Sequence, residues 1–220
     1  MASKLKHLFS DADMARVKAA VAAAEQKTAA EIVPFIVDRS DDYEEAEWRT
    51  GALFGSLVLA GVLTEHFMTG SWLPFDFAVV LFLAFSANLF GMALARYSAP
   101  AKRLFAGKAL MERRAGTRAS QAFMEEKVFE TRGRTGILLF ISILEHEVIV
   151  VGDEGINAKV QPAEWQEIVS TIVRGIRGRR AADGLVEAIA ACGRLLERTG
   201  VKRDKNDTDE LSDNLRVRER

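Results

Sequence analysis

The residues of this chain that could carry chemistry sit in three short stretches. Asp38, Asp41 and Asp42 follow one apolar run, Asp153 and Glu154 follow another, and Glu145-His146-Glu147 lies just before the second. Two or more converging oxygen ligands are what calcium or magnesium needs. A carboxylate at a strand end is also a group that phosphoryl transfer could use. The leading expectation is that no residue is catalytic; Asp38, Asp41 and Asp42 are the alternative candidates. Other chemistries find less support. Cys192 is the sole cysteine, so neither an intramolecular disulfide nor a cysteine zinc cluster is possible. His7, His66 and His146 have no ligand spacing between them. Gly152 and Gly155 are too few for a phosphate-cradling loop, and no nucleophile pairs with a histidine. No metal or cofactor is expected.

Strands and helices must position these groups. Phe9-Ser10-Asp11-Ala12-Asp13 reads as a helix start, with Ser10 as N-cap, Asp13 at N3 and Phe9 as a staple. Met14, Val17, Val21 and Ala24 continue it at helical spacing. Glu31 to Val37 is a β-branched run that predicts a strand, although Pro34 cannot donate to a ladder and favours an edge or an end. Pro100 to Phe129 predicts one long helix or two shorter ones. Gly136–Ile143 and Glu147–Val151 predict two strands of an antiparallel hairpin. Pro162 opens a helix with a stripe from Trp165 to Ile176. Ala181 to Thr199 forms the last, with Leu185, Ile189, Cys192 and Leu196 inside and Gly200 past its end. Because a long helical crossover joins them, the first two strands should be parallel and the third should run opposite. Asp38 and Asp153 should then emerge at opposite edges of the sheet.

Between Gly51 and Ala95 the only formally charged residues are Glu65 and Asp76. Phe77–Ala95 alone has 19 uncharged residues, enough for a helix to cross ~30 Å of hydrocarbon. Gly51–Leu63 is shorter and reaches spanning length by extension through Trp48 and Arg49 or through Phe67 and Met68. Aromatics lie at the ends, Trp48 and Tyr97 on one side and Trp72 with Phe75 at the tip, as at two membrane interfaces. Gly51 and Gly55 form a GxxxG, and Ala87, Gly91 and Ala95 repeat a small residue every fourth position, so the helices should pack closely. Asn88 should face the other helix or a partner.

Charge sets the orientation. Arg49 precedes the hairpin and Arg96, Lys102, Arg103 and Lys108 follow it, whereas the tip has no Lys or Arg, so both termini and the soluble domain are expected on the cytoplasmic side of the cytoplasmic membrane. Trp48, Arg49, Trp72, Tyr97, Lys102 and Arg103 are the expected lipid-interface residues, the basic ones drawn to an anionic leaflet. A thiol reagent should reach Cys192 only once the membrane is opened. MASKLKHLF lacks an apolar core, so no cleavable secretion signal is expected. The chain is 49% hydrophobic and 28% charged, with the apolar excess in the hairpin, and its net charge of −1 argues against nucleic-acid binding.

Four stretches in this order resemble the TPM domain family: Phe9 to Val37, Thr131 to Phe140, Glu147 to Ile156 and Ala182 to Ile189. The arrangement is similar to a bacterial subgroup of small membrane proteins that interrupt the TPM domain with a transmembrane hairpin. The resemblance implies a small mixed-sheet α/β sandwich. It also implies one of several roles ascribed to relatives: acid phosphatase, calcium binder, or auxiliary factor for membrane complexes. Relatives with the proposed metal or phosphatase site carry an acid directly before the glycine-led strand, where this chain has Arg134-Thr135 before Gly136.

The expected organisation is residues 1–44, the first part of the α/β domain; 45–98, a transmembrane hairpin with spans near 48–66 and 76–95; 99–200, the rest of the domain; and 201–220, a charged mobile tail. The leading expectation for function is a membrane-anchored, non-enzymatic accessory protein whose partners are the lipid bilayer and an integral membrane protein complex. The alternative is a membrane-tethered acid phosphatase or divalent-metal-binding domain.

Overall fold

The computed structural model describes residues 9–70, 76–201 and 210–219. They form α1 (Asp11–Glu25), β1 (Glu31–Val37), α2 (Glu44–Thr69), α3 (Phe77–Tyr97), α4 (Ala99–Ala106), α5 (Lys108–Glu125), β2 (Gly136–Ser142), β3 (Glu147–Gly152), α6 (Glu154–Asn157), α7 (Trp165–Arg177), α8 (Ala181–Arg198) and β4 (Arg216–Arg218). The chain separates into two units, residues 1–40 with 114–220, and residues 41–113.

The first unit is built on a four-stranded sheet of order β3-β2-β1-β4. β1 runs parallel to β2, pairing Glu31 with Gly136 and Val37 with Ser142, and β3 runs antiparallel to β2. β1 and β2 are buried along their whole length, as strands covered on both faces must be. On one face Ile32, Ile36, Ile137 and Leu139 pack with Val17 and Val21 of α1, Ile168 and Ile172 of α7, and Leu185, Ile189 and Leu196 of α8. On the other, Val33, Phe35, Leu138 and Phe140 pack against Ala115, Ala119 and Ala122 of α5. Phe35 stacks on Phe140, and the Arg118 guanidinium lies 5.3 Å from the Phe35 ring centre. The result is a three-layer sandwich, with each fully buried Ile or Leu contributing on the order of 2 kcal/mol.

Pro34 sits in a central strand, and the backbone shows how. The Glu31 N–H points toward β2, where the Thr135 carbonyl accepts it, while the Asp38 N–H points the other way, to the Arg218 carbonyl. Pro34 is in phase with Asp38, so its nitrogen faces the side where β4 pairs only with Phe35–Val37. The missing donor interrupts no ladder bond. The next residue in that phase, Ile32, donates instead to the Glu25 carboxylate at 2.7 Å.

The last segment corrects the expectation of a mobile tail. Residues 210–219 lie along the sheet, and β4 adds a parallel strand beside β1. The Glu31 carboxylate accepts the N–H groups of Glu210 and Leu211 at 3.2 and 3.3 Å, and Arg216 pairs with Glu126 at 3.0 Å, both side chains largely buried. Charge density suggested disorder because a sequence does not show where its charges find partners.

The capping box at Ser10 is present, with Asp13 N–H donating to Ser10 Oγ and Ser10 N–H to Asp13 Oδ2. The basic stretch after the hairpin is two helices, broken at Gly107 with φ 81°.

The second unit contains the hairpin. α2 is one continuous helix of 26 residues, roughly 39 Å long at 1.5 Å per residue, and α3 has 21. Both are long and apolar enough to cross a membrane. The N-terminal turn of α2 carries Glu44, Glu45 and Glu47, which suits the positive end of the helix dipole. Asp76 caps α3 by accepting the Ala78 N–H.

Candidate functional site

Large apolar side chains point away from the pair of hairpin helices and small ones point between them. Leu57, Leu63, Phe82, Phe85 and Phe90 are exposed, while Gly51, Gly55, Gly91 and Ala95 are buried. A β-carbon on Gly91 would lie 2.7 Å from the Thr50 carbonyl oxygen, and one on Gly55 would lie 3.3 Å from that of Ala84. Ala87 and Asn88 are half-buried, and Asn88 lies against Gly51 and Gly55. Of the residues expected at the seam, Gly51, Gly55, Asn88 and Gly91 lie against the facing helix, and Ala95 is buried.

The base of the hairpin is held by charge. Glu47, nearly buried, takes Lys102 Nζ at 3.2 Å and Arg96 Nη1 at 3.5 Å, and Lys102 also donates to the Asp42 carbonyl at 2.6 Å. Arg49 donates to the carbonyls of Phe105 and Ala106 at the C-terminus of α4, where a cation also suits the dipole. This corrects the expectation for Lys102, whose ammonium is held among protein groups rather than offered to lipid headgroups. Lys102 is 6% exposed and its ammonium is enclosed by a carboxylate and a carbonyl; the Arg49 head is bonded to backbone. A basic residue near a membrane exit has the same sequence signature whether it faces lipid or closes a helix junction. Arg103 is half-buried. Trp48 and Tyr97 are 65% and 78% exposed, whereas Trp72 and Phe75 lie outside the described residues.

The catalytic candidates fall in different units. Asp38 ends β1 in the first unit, its carbonyl accepting the Leu144 N–H at 2.8 Å. Asp41 and Asp42 belong to the second, where Asp42 N–H donates to Asp41 Oδ1 at 2.7 Å. Among the described residues, no three His, Cys, Asp or Glu side chains converge as a metal site would require.

Beside Asp38, the end of the sheet holds a cluster that the sequence did not disclose. Ser40 N–H donates to Glu145 Oε1 at 2.7 Å, Ser40 Oγ lies 2.9 Å from Ser142 Oγ, and Ser142 Oγ donates to Glu145 Oε2, all buried. Glu145 thereby ties the β2–β3 turn to the end of β1. The one signal was the acidic residue in a tight turn. His146 next to it is exposed at φ 59°. A cavity of about 250 Å³ adjoins this end, walled by Ser142, Ile143, Val148, Val173 and Ile176 with His146, Glu147 and Arg177 also lining it.

At the opposite edge, Asp153 follows β3 as expected from the strand directions. Its carboxylate is buried, pairing with Arg134 at 3.1 Å and capping α6 through the Glu154 N–H. Thr135 directly precedes the glycine-led strand β2. Its hydroxyl donates to the Ala29 carbonyl at 2.5 Å and its N–H to Thr131 Oγ1, so this position supplies neither a proton donor of acidic strength nor a metal ligand oxygen with charge.

Cys192 is fully buried, and burial pushes its thiol up to about 12. It therefore does not serve as the accessible thiol expected for reporting sidedness.

A mixed four-stranded sheet with helices on both faces, interrupted between β1 and β2 by two long apolar helices, defines an α/β sandwich with a helical insertion. Residues 108–195 match the family model of the TPM domain. Three of the four stretches that carry the resemblance lie inside that match; the fourth, Phe9 to Val37, supplies α1 and β1 to the same sandwich. The solution structure of the BA42 protein from the psychrophilic bacterium Bizionia argentinensis is similar, with a TM-score of 0.59 and 17% identity over 98% of this chain and 99% of that one. At this identity the likeness is one of fold. No curated protein matches the chain.

Proposed function

We propose that this protein is a membrane-anchored, non-enzymatic accessory factor. Its hairpin crosses the cytoplasmic membrane twice, and its TPM domain, on the cytoplasmic side with both termini, associates with an integral membrane protein complex. The observation that carries this reading is the radial inversion of the hairpin: large apolar side chains outward, glycine and alanine inward. In water such a surface would be an aggregation liability; in lipid it is what helix packing requires. Sidedness follows from the lysines and arginines at the base and their absence at the tip.

The test is gentle solubilisation of tagged protein from its own membrane, with native electrophoresis and identification of what accompanies it. Retention in the pellet through an alkaline carbonate wash, with a larger membrane protein recovered alongside, is the expected result. Migration as a lone small protein would end the accessory role, and release into the wash would end the membrane reading.

A further inference from the structure

From the last turn of α7 through the link to α8, the chain places four arginines, Arg174, Arg177, Arg179 and Arg180, and no acid. All four are exposed. Arg134 and Arg216, in the same unit, pair with Asp153 and Glu126. In the link, Arg174 reaches only the Thr171 hydroxyl, at 2.9 Å, and the side chains of Arg177, Arg179 and Arg180 have no partner among the described residues. Asp183, the acid next in sequence, is taken by Arg16 at 2.6 Å. The fold itself gains little from this charge. A cation at the end of α7 suits the helix dipole, which accounts for Arg174 and Arg177, but Arg179 and Arg180 stand at the start of α8, whose positive end repels them. Arg180 is the N-cap of α8 and its side chain makes no capping bond. Arg179 holds φ 56°, a left-handed conformation that side chains disfavour.

The link lies at the end of the sheet from which the chain leaves for the hairpin. Arg177 lines the cavity beside Ser142, the last residue of β2, and Ser142 Oγ is 2.9 Å from Ser40 Oγ. Ser40 is where the first unit gives way to the second. The chain from Ser40 to Trp48, four extended residues and the first turn of α2, spans at most about 20 Å. That is a short tether.

We infer that the α7–α8 link is a second membrane contact, its arginines bound to the headgroups of anionic phospholipids in the leaflet that the hairpin enters. Guanidinium forks match phosphate oxygens in pairs, and an anionic leaflet draws basic groups held near its surface. The negative charge that no carboxylate of the link supplies then comes from lipid. The contact also sets which way the domain faces. With this end of the sheet against the bilayer, the other end of α7, which begins with Glu164 and Glu167, points away from it.

The inference rests on the membrane reading, and the experiment tells the two apart. Full-length protein carrying Cys192→Ala is labelled with a fluorophore at Gly178→Cys, in the link, or at Ala163→Cys, exposed at the far end of α7. It is placed in nanodiscs of phosphatidylcholine, with or without phosphatidylglycerol, that contain a lipid with a nitroxide on its headgroup. Quenching is expected at position 178 and not at 163, with phosphatidylglycerol strengthening it roughly twofold and added salt reversing that gain. Arg177→Gln, Arg179→Gln and Arg180→Gln together should remove the gain, and lysine at the same three positions should keep most of it. The lipid comparison needs no arginine variant, so it decides the matter even where a variant misfolds. Equal quenching at the two positions, no gain from phosphatidylglycerol, or a gain that survives loss of the three arginines would each overturn the contact. So would a reversal by phosphate beyond that by chloride of equal ionic strength, which would make the link a site for free anions. Release of the protein from its native membrane by alkaline carbonate would refute the membrane reading instead.

Discussion

Gly91 crosses Gly51 so closely that a β-carbon on Gly91 would stand 3.1 Å from the Gly51 α-carbon. The neighbours are backbone atoms, which have no rotamer by which to retreat. Gly91→Val is therefore expected to destabilise the solubilised hairpin by about 1–3 kcal/mol through overpacking. Gly61, with nothing within 4 Å of its own added β-carbon, is the control, and Gly61→Ala should be neutral or stabilise by up to about 1 kcal/mol. Reversible unfolding in mixed micelles compares them, and equal effects would disprove the tight crossing.

Lys102 and Glu47 form an ion pair whose side chains are 8% and 12% exposed. Removing one partner strands the other. Lys102→Ala is expected to lower stability by roughly 2–4 kcal/mol, tempered because Arg96 also reaches Glu47. The double change Lys102→Met with Glu47→Leu should recover most of that loss, which a thermal melt of solubilised protein would register. If Lys102→Ala instead alters only binding to anionic vesicles, the lysine belongs to the lipid interface after all.

The C-terminal segment completes the sheet. Truncation after residue 209 removes the Arg218 carbonyl from the Asp38 N–H and the two backbone donors from the buried Glu31 carboxylate. A loss on the order of 2–4 kcal/mol is expected from stranding these groups, together with aggregation through the newly open edge of β1. Hydrogen exchange at Asp38 should accelerate sharply; unchanged protection would place β4 outside the folded unit.

Asp13 offers a pH signature. Hydrogen bonds from the Ser10 side chain and then its backbone hold the Asp13 carboxyl below its ordinary value of 3.8. A lowered folded-state value means the contribution is complete above the ordinary carboxylate range and disappears as pH falls through the lowered one. Asp13→Asn should thus be less stable than wild type at neutral pH, with the gap closing below about pH 4. A gap that persists or widens in acid would contradict the capping box as its source.

Cys192, with its thiol raised to about 12 by burial, should resist maleimides in intact and opened cells alike and react only on unfolding. Sidedness is better read from Gln166→Cys, at an exposed position of α7, in a Cys192→Ala background. Labelling by an impermeant reagent only after permeabilisation is expected, and labelling of intact cells would reverse the orientation.

Much of this architecture was legible in the linear chain because it rests on local periodicity. The capping box at Ser10, the parallel pairing of β1 with β2, the stripe on α8 and the small-residue seam of the hairpin each follow from which residue types recur at which spacing. Pairings between distant charges do not recur at any spacing, and only the tertiary structure decided them. Glu31 with the backbone of Glu210 and Leu211, Glu126 with Arg216, Glu47 with Lys102 and Glu145 with Ser40 all join residues far apart along the chain or across a turn. In sequence each of these carboxylates looks solvated or catalytic. The fold buries them beside donors, and burial is a property of the assembled layers rather than of any segment within them.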